Sequence, residues 1–445
     1  MKHPKLLRTL FFTEMWERFS FYGMRALLVL YLVNAMAYPD NEALHIYGIY
    51  TGLVYLTPLL GGYLADKYIN NVNAILIGGI LMMIGHALLA FESLFFIGLG
   101  FLIAGNGFFK PNISSILGNL YESKPEKLRD EGFSYFYIGI NIGAFLAPLI
   151  IGFVGEFYSW HLGFLMAAFG MLLGLVVFCL KINQIEILKT QINYSKIKIF
   201  LFINVALICF IIYSPIWFVL LIIFTVILFF IRRSSFPFTF NKKDLKKIYY
   251  IFMLGLFSVI FWVGFEQAGG SLTLFTDSKV DKSFFNFTIP TTFFLAINPL
   301  IIICLGTVVA KIWFRIDSRF RTETPEKMSL GLLLMSFGFI ILTLIQDMKN
   351  IHFAWIVLIY FFHTLGELCL SPTSLSMVTK VAPKKIQSLM IGLWFLTFAI
   401  ASYLAGLLPS VVQNLDLNLF KFISIITMLG AIALIMSRPF LRKLL

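Results

Sequence analysis

The stretch EMWERFSFYGMR, residues 14–25, lies inside the first long apolar segment of the chain, near 10–36. A segment of this length predicts a membrane-spanning helix. Its charged residues are Glu14, Glu17, Arg18 and Arg25. Each charge at bilayer depth costs about 3 kcal/mol on insertion scales, so these side chains must face a protein interior or a water-filled cavity. Helical spacing places Glu14, Arg18, Tyr22 and Arg25 on one face with Glu17 beside it, which indicates a pathway for protons or a charged solute.

The composition of the chain is that of a polytopic membrane protein. The 445 residues are 59% hydrophobic and 13% charged, and the mean hydropathy is +0.89. The formal charge of +13 does not indicate nucleic-acid binding, because the basic residues fall between apolar segments. The first apolar segment is too long and too charged for a cleaved signal peptide. The spacing of the four cysteines and six histidines predicts neither a disulfide framework nor a metal site.

Apolar runs divide the chain into six, two and six predicted helices. The first six lie near residues 10–36, 46–65, 73–91, 93–113, 133–154 and 161–180. The last six lie near residues 248–275, 286–312, 328–346, 352–378, 386–410 and 420–440. Between them, residues 197–230 form an apolar stretch that is broken at Tyr213, Ser214 and Pro215, which predicts a helical hairpin. The expected organisation is an N-terminal bundle (1–180), a linker with the hairpin (181–247) and a C-terminal bundle (248–445), with 14 transmembrane helices in all.

Basic residues support this topology, since Lys and Arg accumulate on cytoplasmic loops. With the N-terminus inside, only four of the 35 Lys and Arg residues fall on outer loops: Lys279, Lys282, Lys349 and Lys421. We therefore expect both termini to be cytoplasmic.

Two six-helix halves joined by a long basic connection resemble a major facilitator transporter, in which two bundles rock about a site at the membrane midplane. The segment from Gly61 to Lys67, GGYLADK, is similar to the gating motif between the second and third helices of that superfamily. A tight turn between two helices is the alternative interpretation of this segment. The fold class predicted from the sequence is an all-α polytopic membrane protein of the major facilitator type.

Three more charged residues lie inside predicted spans. Lys110 precedes Pro111 in the fourth span, where a lysine near a helix end can also reach the lipid headgroups. Glu266 and Glu367 lie in the middle of apolar runs, where a carboxylate pairs with a cation or takes up a proton. A static ion pair that holds the bundles together is the alternative. Cations in the first half and acids in the second predict a bipolar cavity that suits a zwitterion.

Five motifs resemble the proton-dependent oligopeptide transporter family. The stretch from Glu14 to Gly23 is similar to the family signature Glu-x-x-Glu-Arg-Phe-x-Tyr-Tyr-Gly. Four further segments match in order: Gly105 to Asn112, Phe136 to Gly143, Phe261 to Leu274, and Glu367 to Pro383. The resemblance covers nearly the whole chain, and bacterial members of the family also carry the inserted hairpin.

The resemblance implies a role for each matching residue. Arg25 and Lys110 would bind the peptide carboxylate, and Glu367, Asn141 and Asn298 would receive the amino end. Glu14, Glu17 and Arg18 would form the proton-coupling motif, with Glu266 as the seventh-helix acid that exchanges a proton against the first-helix arginine. The remaining substrate-binding positions are Tyr22, Tyr55, Tyr137, Trp262, Ser371 and Trp394.

The chain departs from the family pattern at four positions, which bear on side-chain preference rather than on coupling. Phe21 replaces the first tyrosine of the pair, and Asn106 stands where a threonine or another small residue is common. Ala268 and Gly270 replace bulkier polar residues. Losing one hydroxyl contact costs about 1 kcal/mol where that contact was made.

The function implied is import of di- and tripeptides by proton symport, in a bacterial cytoplasmic membrane, by a functional monomer. The proton is the coupling ion, no other cofactor is expected, and the other partner is the lipid bilayer. A proton-coupled carrier of another solute, such as nitrate, a drug or a peptide-like metabolite, is the alternative. An intramembrane enzyme is disfavoured because the spans contain neither paired aspartates nor a His-Glu-x-x-His motif. A purely structural role gives no reason for seven interior charges.

Overall fold

The computed structural model describes residues 3–181, 241–320 and 322–445. Residues 3–181 form seven α-helices. They are α1 (Leu6–Asn34), α2 (Asp40–Leu64), α3 (Asn71–Leu88), α4 (Phe95–Leu120), α5 (Glu126–Ala147), α6 (Phe153–Phe157) and α7 (Trp160–Cys179). A π-helical turn, Ala65–Ile69, extends α2, and a second, Pro148–Gly152, joins α5 to α6. A 3-10 turn, Glu92–Leu94, precedes α4.

Residues 241–320 and 322–445 form seven more α-helices. They are α8 (Lys242–Glu266), α9 (Ser271–Lys279), α10 (Ile297–Phe320), α11 (Thr324–Ile345), α12 (Ala354–Val381), α13 (Gln387–Asn414) and α14 (Leu419–Arg442). The side chains of Asn241 and Asn418 cap α8 and α14 by accepting hydrogen bonds from backbone N–H groups of the first turn. The intervening 3-10 turns are Gln267–Gly269, Thr291–Ala296 and Lys384–Ile386.

Short strands lie in the loops that flank α9 and α12. They are β1 (Val280–Asp281), β2 (Ser283–Phe284), β3 (Phe287–Thr288) and β4 (Ile351–His352). The first strand pairs in parallel with β4, and Val280 lies opposite Ile351. The second and third strands form an antiparallel hairpin in which Ser283 lies opposite Thr288.

Eleven helical segments of the described chain are long and apolar enough to cross a membrane. The charged helix α1 is not among them, although its 29 residues are long enough. Together these segments and α1 overlap all of the predicted spans outside residues 197–230. The predicted hairpin lies outside the described residues, so the count of 14 helices stays a prediction. The predicted seventh span, 248–275, differs most, because a 3-10 turn at Gln267–Gly269 divides it into α8 and α9.

The fold contains two compact units. Unit 1 comprises the described residues within Met1–Ala43, Leu53–Ile212 and Lys282–Ile303. Unit 2 comprises those within Leu44–Gly52, Tyr213–Asp281 and Cys304–Leu445. The part of α2 at Leu44–Gly52 therefore belongs to unit 2, whereas the rest of that helix and the segment that leads into α10 belong to unit 1. The domain boundaries at residues 180 and 247 remain predictions from the sequence.

In unit 1 the charged helix α1 packs against α5 and α7. Gly143 of α5 lies so close to the backbone carbonyl of Met15 that a Cβ atom would overlap it. A Cβ atom on Gly174 of α7 would lie 3.2 Å from the Trp16 Cβ atom and 3.3 Å from the Thr13 carbonyl oxygen, which is a tight contact. Small residues allow helices to approach closely where no water is available. The packing buries the acidic part of α1 within the unit.

In unit 2 the Leu44–Gly52 part of α2 packs against α13. A Cβ atom on Gly48 would lie 2.7 Å from the Cα atom of Gly406, so only glycine fits there without a shift. The Gln267 side chain also contacts α13, where it donates a hydrogen bond to the Ala405 carbonyl at 3.0 Å. Within the same unit, Ser329 of α11 donates to the Ala431 carbonyl of α14 at 2.9 Å.

Candidate functional site

One arginine of α1 lies against two carboxylates. The Arg18 Nε atom is 2.7 Å from Glu14 Oε1 and 2.7 Å from Glu17 Oε2. All three residues are at most 3% exposed. The spacing of four residues explains the first contact, since residues i and i+4 are neighbours on a helix face. This arrangement buries two acids with one guanidinium group in a spanning helix.

The two carboxylates are held differently. The Nε–H group of Arg18 donates a hydrogen bond to Glu14. Its contact with Glu17 Oε2 is an ion pair without a hydrogen bond. The other oxygen of Glu17, Oε1, accepts a hydrogen bond from Asn106 Nδ2 of α4 at the long distance of 3.5 Å. Asn106 is only 1% exposed. The departure from the family pattern noted at Asn106 therefore lies next to the predicted proton-coupling motif.

Lys110, one turn after Asn106 on α4, adds a cation to this group. Its charge interacts with those of Glu14, Glu17, Arg18 and Arg25. The Nζ atom lies 4.6 Å from the centre of the Tyr55 ring. Contact with an aromatic face attracts a cation and orients it. Within unit 1, Arg25 and Lys110 are half-buried, as Tyr22 and Tyr55 are.

The three remaining predicted residues of unit 1 lie on α5 and α10. Asn141 is buried and donates a hydrogen bond to the Tyr137 carbonyl at 2.9 Å. The Tyr137 side chain itself is 49% exposed. Asn298, in the first turn of α10, is half-buried. The Asn141 amide is thus hydrogen-bonded within α5, and the Tyr137 ring is exposed at the surface of unit 1.

Unit 2 contains the other five predicted residues. Glu266, the last residue of α8, is 3% exposed, and Trp262 precedes it by one turn. The Trp262 ring packs against Phe398 of α13 with centroids 4.5 Å apart. Trp394, one turn before Phe398, is also buried. Glu367 and Ser371 lie one turn apart on α12 and are half-buried. The span cations Arg18, Arg25 and Lys110 therefore belong to unit 1, and the acids Glu266 and Glu367 belong to unit 2.

The predicted gating motif forms a turn in unit 1. Lys67 lies in the π-helical turn after α2 and donates a hydrogen bond to the Tyr63 hydroxyl at 3.1 Å. Its Nζ atom also lies 5.3 Å from the centre of the Tyr68 ring. Upstream, the backbone of Gly61 contacts that of Gly107 on α4, where a side chain would overlap it. The segment is both a tight turn and a close contact between two helices.

The sequence did not predict a hydrogen-bonded group around a half-buried carboxylate in unit 1. Glu156 of α6 accepts hydrogen bonds from the backbone N–H groups of Thr291 and Thr292, both at 2.8 Å. It also accepts one from the Thr292 hydroxyl at 2.6 Å. The Thr291 hydroxyl in turn accepts a bond from Lys282 at 2.7 Å. An acid at the end of an apolar run was the available signal, but the predicted fifth span ended two residues before it.

A second missed network lies in unit 2 between α11 and α14. Arg438 contacts Glu326 at 2.5 Å, and Arg442 contacts Glu323 at 2.9 Å. Glu323 and Glu326 also form a capping box at the start of α11. These ion pairs connect the ends of two helices at the surface.

Comparisons with known proteins agree along the chain. A family model described as "POT family" matches residues 72–426. The peptide transporter YePEPT of Yersinia enterocolitica is 34% identical, over 100% of this chain and 95% of its own length. A di-/tripeptide transporter of Lactococcus lactis is 33% identical, over 99% and 96%. A crystal structure of a mutant of the peptide transporter POT in complex with alafosfalin matches with a TM-score of 0.89 and 34% identity, over 100% and 96%.

The family match does not include the signature-like stretch of the first helix. The matched residues begin at position 72, whereas the signature-like stretch ends at Gly23. Two separate parts of the sequence thus lead to the same assignment.

Proposed function

We propose that this chain, which belongs to the POT family, imports di- and tripeptides in symport with protons by alternating access. The family match and the relatives confirm the resemblance predicted from the sequence. The protein is a membrane transporter and not an enzyme, and its relatives include peptide transporters that match over nearly their whole length.

The observation that carries the proposal is the position of Arg18 between Glu14 and Glu17. A guanidinium group balances one carboxylate, so the second must find another cation or hold a proton. A static scaffold does not need this arrangement, because buried charges are costly in a spanning helix. A proton pathway uses it.

Of the two acids, Glu17 is the better candidate for the proton. Glu14 receives the hydrogen bond of the guanidinium Nε–H group at 2.7 Å. Glu17 is fully buried, and the hydrogen bond that it receives from Asn106 is long. A neutral carboxyl group needs fewer hydrogen bonds than a carboxylate in the same place. Protonation of Glu17 therefore removes the less well compensated charge.

Charged residues supply the two ends of the proposed peptide binding site. Arg25 and Lys110 bind the peptide carboxylate, and Glu367 receives the amino group together with Asn141 and Asn298. Opposite charges on the two partners determine the orientation of a zwitterion. Tyr22, Tyr55, Tyr137, Trp262 and Trp394 form an aromatic wall that accepts many side chains, and Ser371 adds a polar contact.

Glu266 couples the proton to the peptide. When ionised it pairs with Arg25, and protonation frees Arg25 for the carboxylate of the substrate. One proton that crosses 100 mV releases about 2.3 kcal/mol. At about 1.4 kcal/mol per tenfold change, this supports roughly 50-fold accumulation.

We propose that the protein lies in the bacterial cytoplasmic membrane with both termini in the cytoplasm. Eleven apolar helical segments among the described residues, together with the bacterial relatives, support a multi-pass protein of the inner membrane. The basic residues between the spans support the orientation. We further propose 14 spans, including a hairpin at residues 197–230, and a functional monomer.

Uptake of labelled dialanine into liposomes that contain the purified protein tests the proposal. An inward proton gradient should drive accumulation, and a protonophore should abolish it. Unlabelled di- and tripeptides should compete, whereas free alanine should not. Competition by nitrate or by a peptide-like drug, with none by dipeptides, would instead identify a proton-coupled carrier of another solute.

A further inference from the structure

Glu156 joins two helix ends that are distant in the sequence. Its carboxylate lies at the end of the fifth span and accepts three hydrogen bonds from Thr291 and Thr292, which begin the segment leading into α10. Thr291 is 1% exposed and Thr292 is fully buried. The carboxylate uses both oxygens, so it holds two consecutive residues of the partner segment in one orientation.

The packing around this contact leaves little freedom. Gly152, one turn before Glu156, lies so close to the Thr292 side chain that a Cβ atom would overlap it. Lys282 adds a further hydrogen bond to Thr291. The contact therefore combines shape complementarity with charge-assisted hydrogen bonds, which are the stronger class.

The two sides of the contact come from different halves of the chain. Glu156 belongs to the first six predicted spans, and Thr291 and Thr292 begin the eighth span of the main set, although all three lie in unit 1. With the N-terminus in the cytoplasm, both helix ends are external. Alternating access moves the two halves against each other, so outward opening has to break this contact.

We propose that Glu156 is a latch that holds the external ends of these two helices together and is released in each transport cycle. The proposal rests on the proposed transport function. Glu156 acts as a positioning residue, since its three hydrogen bonds stabilise one state of the cycle and bind no substrate. Removing the carboxylate shifts the population toward the outward-open state.

Thiol labelling from outside measures this opening. Ala296, at the end of the turn that Thr291 begins, is 3% exposed and provides the reporter position as Ala296→Cys. The variant is made in a chain without its four native cysteines and labelled in intact cells with a membrane-impermeant maleimide. Glu156→Gln should raise the labelling rate by about tenfold or more, and Thr292→Val by roughly threefold to tenfold, because it retains the two backbone donors.

Two controls separate the latch from general disruption. Glu126→Gln changes an exposed glutamate at the opposite end of the same span and should leave the rate unchanged. Gly118→Cys, at an open position near the cytoplasmic end of α4, should remain unlabelled in every variant.

An unchanged rate in Glu156→Gln, or an equal rise in Glu126→Gln, would overturn the latch. If Glu156→Gln does not fold, Thr292→Val tests the proposal instead. An unchanged labelling rate in Thr292→Val would also contradict the latch. Labelling requires no peptide. A latch effect without dialanine uptake would therefore disprove the substrate assignment and leave the latch intact.

Discussion

The Nζ atom of Lys110 lies 4.6 Å from the centre of the Tyr55 ring, so the two residues proposed to bind substrate also bind each other. Removing the ring should leave the ammonium group less well oriented, at a cost of about 0.5–2 kcal/mol. Tyr55→Leu should therefore raise the KM for dialanine roughly threefold to thirtyfold, whereas Tyr55→Phe should stay within about twofold. Initial rates of uptake into proteoliposomes measure both. Equal effects of the two substitutions would assign the role to the hydroxyl group instead.

Arg18→Met should destabilise the protein strongly. The substitution leaves Glu14 and Glu17 buried without their guanidinium partner, and breaking a buried pair in this way costs about 3–5 kcal/mol. Thermal unfolding in detergent measures the loss. Arg129→Met is the matched control, because Arg129 is exposed and should contribute little. Similar stability of the two variants would show that the buried acids are neutral in the folded protein.

Glu266→Gln should separate proton-driven transport from exchange. The amide cannot release a proton, so gradient-driven accumulation of dialanine should disappear, while exchange of peptide for peptide continues. Counterflow assays in the same proteoliposomes measure the second activity. Glu122→Gln, which alters an exposed residue in a loop, should affect neither. Loss of both activities in Glu266→Gln would make this residue a binding or structural group.

Gly48→Ala should weaken the packing of α2 against α13. The added Cβ atom would lie 2.7 Å from the Gly406 Cα atom and 3.0 Å from the Ser402 carbonyl, which forces a shift. Such overpacking costs about 1–3 kcal/mol. Gly118→Ala adds the same atom to open space in a helix and should stabilise by up to about 1 kcal/mol. Thermal unfolding of both variants tests the difference in sign.

The sequence was sufficient for contacts within a single helix. The pairing of Glu14 with Arg18 follows from their spacing, because a helix brings residues four apart together. Hydropathy likewise located the spans, since the length of an apolar run is set by the thickness of the bilayer. The helix α1 was located by its long apolar run, although by composition it is not among the helices that are apolar enough to cross a membrane.

Contacts between distant segments were beyond sequence reasoning. Glu156 and Thr292 are 136 residues apart, and the periodicity of either helix contains no information about the other. The pairing of β1 with β4 is of the same kind. The break at Gln267–Gly269 is different, because the adjacent Gly269 and Gly270 indicate a break in the helix. The continuous apolar run nevertheless favoured a single span there.

The π-helical turn at Pro148–Gly152 divides the fifth span into two parts whose side chains are rotated relative to each other about the helix axis. A π-turn inserts one residue into the helical count, so every side chain beyond it is rotated by about 100° from the direction that an uninterrupted α-helix gives. Asn141 and Glu156 lie on opposite sides of this insertion. The two side chains therefore do not have the angular relationship of an uninterrupted helix, and a helical wheel drawn for this span has to be restarted after Gly152.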